Sequence, residues 1–140
     1  MASFNFFREF RTNLAKGAFN FTSDSDCTVT VALTTAGNAP VNTDDELADL
    51  TQIAYTNLSS RVIQNVSVSE AGGTVSFNAD DLTLTASGGA VATFRYVVLY
   101  DDDSTNDKLI GWYDVGSDVT LADGSTFTID FTTGKFATLS

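Results

Sequence analysis

The stretch VATFRYVVLY, from Val91 to Tyr100, decides the fold class of this chain. Bulky side chains occupy both of its faces, and strands covered on two sides show such near-continuous apolar runs. The alternation places Phe94, Tyr96, Val98 and Tyr100 on one face and Val97 and Leu99 on the other. We therefore predict a central strand here. Arg95 is the exception, and we expect it near a sheet edge or paired with a carboxylate.

Short segments of strand character surround this stretch and are separated by turn signals. They comprise residues 27–34, 61–69, 74–78, 82–84, 108–115, 119–121, 125–132 and 135–139, with turns at 72–73, 88–89, 101–103, 116, 123–124 and 134. Residues 27–34 alternate cleanly, which is typical of a half-buried strand. The connections are too short for crossover helices, so the sequence predicts an all-β fold, an antiparallel β-sandwich (jelly-roll-like) of about eight strands.

The N-terminal segment has a different pattern. Apolar residues fall at helical spacing from Phe6 to Ala18, Ser3 is suited to begin a helix, and Gly17 is suited to end it. We predict residues 1–20 as an amphipathic helical arm and residues 21–140 as the β-sandwich, within one domain. Two interpretations stay open, because the apolar face would pack either on the chain's own sheets or on a neighbouring subunit.

The charge of the chain is unevenly distributed. The net charge is −11, with +2 over residues 1–20 and −13 over residues 21–140. An acidic body is repelled by nucleic acid and by anionic membranes, so neither is expected as a partner. The basic, Phe-rich segment is better suited to docking on a protein. Its candidate partner-binding residues are Phe6, Phe7, Arg8, Phe10 and Arg11.

Few residues offer chemistry. The chain has no histidine and a single cysteine, Cys27, which we expect to be a small buried hydrophobe. Most of the 18 carboxylates lie in turns, where no apolar pocket would raise their pKa. Asp114 and Asp130 lie within predicted strands, and we expect them on solvent faces. We predict no enzymatic activity, no catalytic residue, no cofactor and no metal.

One loop has a partial calcium-binding pattern. Oxygen ligands alternate from Asp101 to Asp107, as at the start of an EF-hand loop. Asn106 stands where that loop needs glycine, and Trp112 stands where it needs a bidentate glutamate. We therefore predict a solvated hairpin loop whose charges discourage edge-to-edge strand pairing.

Residues 94–101 (FRYVVLYD), 109–116 (LIGWYDVG) and 119–131 (VTLADGSTFTIDF) resemble small structural proteins of tailed bacteriophages. Residues 29–34 (VTVALT) and 47–53 (LADLTQI) extend the similarity more loosely into the first half. The resemblance implies a virion protein made in the host cytoplasm. It also implies capsid decoration or cementing, with the major capsid protein and neighbouring virion subunits as partners and a homo-oligomer, commonly a trimer, as the assembly.

Two alternatives remain at this stage. A tail or head-tail connector subunit would use the same sandwich. A carbohydrate-binding host-recognition module would need exposed rings, for example at Tyr100, Trp112 or Tyr113.

Overall fold

The computed structural model describes residues 3–21 and 27–140. Residues 1–2 of the predicted arm and residues 22–26 of the predicted β body lie outside these ranges. Within them the chain forms nine strands and one short α-helix. The elements are β1 (Asn5–Phe6), α1 (Phe10–Ala15), β2 (Val29–Thr34), β3 (Ser67–Ala71), β4 (Thr74–Asn78), β5 (Leu82–Thr85), β6 (Phe94–Asp101), β7 (Leu109–Val119), β8 (Thr126–Ile129) and β9 (Lys135–Leu139).

The fold is all-β, and every pairing between these strands is antiparallel, as the sequence predicts. A four-stranded sheet has the order β1-β7-β6-β2, a three-stranded sheet the order β3-β4-β9, and β5 pairs with β8. All three sheets contribute to one main core, for example through Val31, Phe77 and Leu84. A sandwich or jelly-roll arrangement of the sheets stays a prediction.

β6 is a central strand buried on both faces, which confirms the prediction from its sequence. Val97 and Leu99 lie in the main core, whereas Val98 and Tyr100 lie in a second cluster behind the four-stranded sheet. Phe94 was predicted on the face of Val98 but packs in the main core. The pairing register shifts between Phe94 and Tyr96, and this irregularity moves the side chain to the other face.

β2 and β7 both differ from their predicted form. All six residues of β2 are buried, because Ala32 packs in the second cluster and the outer edge of the strand bonds to the segment 61–63. β7 continues through Gly116, where the sequence predicted a turn. Gly116 has φ +99°. Around it, the five-residue interval from Asp114 to Val119 in β7 pairs with the two-residue interval from Phe94 to Tyr96 in β6. A bulge therefore accommodates the glycine without ending the strand.

The N-terminal segment is not the continuous helix that its spacing predicts. Asn5 and Phe6 form a strand that pairs with β7, and helix α1 covers only Phe10–Ala15. Glycine at position 111 permits this pairing, because a Cβ there would lie 2.5 Å from the carbonyl oxygen of Asn5. Gly17 follows α1 with φ +80°, which confirms its predicted role at the end of the helix.

Candidate partner-binding surface

The structure separates the five predicted partner-binding residues into buried and exposed groups. Phe7 and Phe10 have no exposed surface, and both pack within the chain's own core. The Phe7 ring lies 4.5 Å from Trp112, and the Phe10 ring stacks at 5.0 Å on the half-buried Phe6. For these two phenylalanines, packing within the chain itself is therefore the interpretation that the structure supports. Partner binding by the segment stays a prediction.

Three cations form the exposed side of this segment, and we call Arg8, Arg11 and Lys16 the basic face. The Arg8 side chain is 68% exposed, with its Nε 3.5 Å from a carboxylate oxygen of Glu9. The guanidinium carbon of Arg11 lies 5.2 Å from the centre of the Phe6 ring. Lys16 is exposed directly after α1. The segment thus buries aromatic rings on one side and presents positive charge on the other.

Two cations of the β body are paired with carboxylates. Arg95 Nε lies 2.9 Å from Asp114 Oδ1, which confirms the predicted pairing of this arginine. The hydrogen bond from Arg95 holds the pKa of Asp114 below its usual value. Lys108 Nζ lies 2.6 Å from Asp45 Oδ2 and 3.0 Å from Glu46 Oε1.

Arg61 is also engaged within the molecule. Its guanidinium stacks at 3.7 Å on the ring of Tyr55 and donates a hydrogen bond to the carbonyl of Val31. The remaining cation of the body is Lys135, exposed at the start of β9. Positive charge available to a partner is therefore concentrated on the basic face and at Lys135, on an otherwise acidic protein.

A groove runs beside β9, and we call it the β9 groove. It has a volume of about 440 Å³ between residues 3–6 and the strand. Phe4, Phe6 and Phe136 line it, and Lys135 adds a charge. Sequence reasoning missed Lys135 and Phe136 as site residues, because only the pairing of β1 with β7 brings the N-terminal aromatics to β9. The only indication of this site in the sequence was Lys135, an isolated basic residue at the start of a predicted strand.

A second apolar surface crosses the three-stranded sheet from β3 to β9. All five residues of β3 are exposed, and Val68 keeps 43% of its surface accessible. Val68 also borders a groove of about 470 Å³ whose other walls include Phe19, Phe21 and Leu139. In the parts of the chain that the structure describes, Val68 of β3 is therefore the one exposed large apolar side chain of the three-stranded sheet.

The loop with the partial calcium pattern forms the connection between β6 and β7, as the hairpin prediction requires. Asp101 is only 1% exposed and accepts a hydrogen bond from the amide of Asp103. Burial raises the pKa of the Asp101 carboxyl. Among the described residues, no group of three or more His, Cys, Asp or Glu side chains is placed to hold a metal ion.

The rings required for sugar stacking are largely covered. Tyr100 and Tyr113 are each 4% exposed, and Trp112 packs against Phe7. Tyr113 Oη donates a hydrogen bond to the carbonyl of Phe136. Neither tyrosine therefore offers a free face to a carbohydrate.

No family model, no curated protein and no solved structure matches this chain. In the described residues, no helix has the length and apolar character needed to span a membrane.

Proposed function

We propose that this protein is a structural subunit of a tailed-phage virion that decorates or cements the assembled head. The phage assignment comes from the resemblance of residues 94–131 to small virion proteins. The mode of action comes from the placement of charge and of apolar surface, and it involves binding without bond making or breaking.

The observation that carries the binding proposal is the position of the exposed cations, of which Arg8 lies 3.5 Å from Glu9 on the same segment. Arg8, Arg11 and Lys16 lie on one short segment, whereas Arg61, Arg95 and Lys108 are engaged within the β body. A body of net charge −13 over residues 21–140 is repelled by acidic surfaces everywhere except at such a cationic region. We infer that the basic face contacts an acidic region of the major capsid protein.

The aromatic rings beneath the basic face support a rigid contact. Phe10 stacks on Phe6 and makes a tilted ring contact with Phe19, with ring centres 5.0 and 5.1 Å away. Because these rings are fixed in the core, the backbone that carries the cations is held in place before binding. A pre-ordered surface loses less conformational entropy on association than a flexible arm would.

Cryo-electron microscopy of purified particles of the encoding phage tests this proposal, since it gives copy number and location together. We expect density on the head shell with Arg8 and Arg11 toward the capsid. Density on the tail or at the connector would establish the alternative structural role. Absence of the protein from purified particles would refute a virion function.

A charge reversal tests the contact itself. We expect Arg8→Glu to weaken binding to heads that lack the protein by about tenfold, since like charges across an interface are strongly unfavourable. The matched control is Gln64→Glu combined with Ser117→Glu, which makes the same change in net charge at exposed positions of the β body. Equal loss of binding in the control would show that net charge, not the basic face, determines attachment.

A further inference from the structure

β3 is an edge strand without the usual protection against pairing. It bonds to β4 on one side, and in the described part of the chain no strand lies on its other side. It contains no lysine, proline or bulge, which are common devices that block edges. Its one charged side chain, Glu70, accepts a hydrogen bond from the Gly73 amide across the adjacent turn. The strand therefore presents an open backbone edge with exposed Val68 beside it.

β9 is the other edge strand of this sheet and has the same length of five residues. Its outer side faces the β9 groove, where Phe4, Phe6 and Phe136 supply apolar walls and Lys135 supplies a positive charge. Five residues of extended chain span about 17 Å, so either strand matches the other in length. In the described residues β9 pairs with β4 alone, with a register irregularity opposite Phe77 and Asn78. Tyr113 Oη already donates a hydrogen bond to the Phe136 carbonyl, so an added strand would bond to the other backbone groups of this edge.

We propose that β3 of one copy of this protein adds to the outer edge of β9 in a second copy. Strand addition gains main-chain hydrogen bonds, and alternate side chains determine its specificity. Val68 would enter the aromatic part of the β9 groove, and Glu70 would lie near Lys135. The other residues of β3, Ser67, Ser69 and Ala71, are small enough for a narrow groove. This inference does not depend on the proposed virion function.

A second copy is the partner that the charges favour, because the chain itself carries both complementary surfaces. Pairing of β3 with another β3, centred on Ser69, would instead place Val68 opposite Glu70 and leave Lys135 unused. Joining two different surfaces makes a heterologous contact, which closes into a ring or extends into a filament. The predicted homo-oligomer would then be cyclic if the rotation between copies closes.

Sedimentation velocity over a concentration series at physiological salt, which screens the repulsion between two chains of net charge −11, tests the proposal with the purified chain alone. We expect wild-type protein to associate, and Glu70→Lys or Lys135→Glu to raise the dissociation constant about tenfold or more. We expect the double variant, Glu70→Lys with Lys135→Glu, to regain association. An equal mixture of the two single variants should also associate, because each supplies the complement that the other lacks.

Matched controls separate the contact from net charge. Thr51→Glu combined with Ser117→Glu, and Asp102→Lys alone, make the same changes in charge at exposed positions outside the two edges and the basic face, and we expect them to associate like the wild type. A wild-type monomer at every concentration would refute the proposal. An equal loss of association in the controls would also refute it. So would a loss of association with Glu70→Lys that does not occur with Lys135→Glu. Because no capsid is present, none of these results bears on the virion proposal.

Discussion

Replacing Gly111 with alanine tests whether the N-terminal strand belongs to the core. The Cβ would lie 2.5 Å from the Asn5 carbonyl oxygen and would overlap the Phe4 ring. Gly111 does not have a positive φ, so the alanine backbone is unstrained and the cost is steric alone. Overpacking of this kind costs about 1–3 kcal/mol, and we expect the melting temperature to fall by about 3–10 °C.

Two readouts make this experiment specific. Trp112 is the only tryptophan, pairs with Asn5 and packs on Phe7, so its fluorescence reports whether β1 is docked. We expect a red-shifted emission with Gly111→Ala, together with a lower midpoint in urea. Gly37→Ala is the matched control, because the atom nearest to a Cβ at position 37 would be 3.9 Å away. Unchanged stability and unchanged emission in Gly111→Ala would refute the docking of β1 on β7.

Two further predictions concern the core and a buried carboxyl. We expect Phe10→Ala to lower the free energy of unfolding by about 3–5 kcal/mol, and Arg8→Ala to change it by less than about 0.5 kcal/mol, in urea titrations. Similar effects of Phe10→Ala and Arg8→Ala would contradict the assignment of Phe10 to the core and Arg8 to the surface. Burial raises the folded-state pKa of Asp101, so the contribution of this carboxyl to stability should fall as pH rises from the unfolded value of about 3.9 through the folded pKa. We expect Asp101→Asn to remove this loss, which denaturation at several pH values would reveal as a gain at neutral pH that disappears in acid.

The β-strands were predictable where side-chain alternation and turn residues agree. β4 and β9 have the predicted bounds, Thr74–Asn78 and Lys135–Leu139. The two-sided burial of β6 was also predictable, because its apolar run has no polar face. These features depend on local sequence, and local sequence is sufficient to state them.

The remaining differences come from contacts between distant residues. Gly116 signals a turn in the sequence, but pairing with β6 keeps β7 continuous through a bulge. The spacing of Phe6 and Phe10 fits a helix, yet Gly111 offers a site where a strand docks, more than a hundred residues away along the chain. Lys135 lines one groove with the N-terminal aromatics for the same reason. No local pattern contains this information.

The two interpretations of the N-terminal segment are compatible in three dimensions. Phe7 and Phe10 face inward, while Arg8 and Arg11 face solvent, so one segment completes the core and presents the basic face. Deleting residues 1–20 would therefore remove two fully buried phenylalanines, each contributing about 1.5–3 kcal/mol, along with the cations. A loss of partner binding in such a truncation would not distinguish unfolding from a missing contact. Surface charge reversals that retain both phenylalanines make that distinction, and the proposed capsid contact should be tested with them.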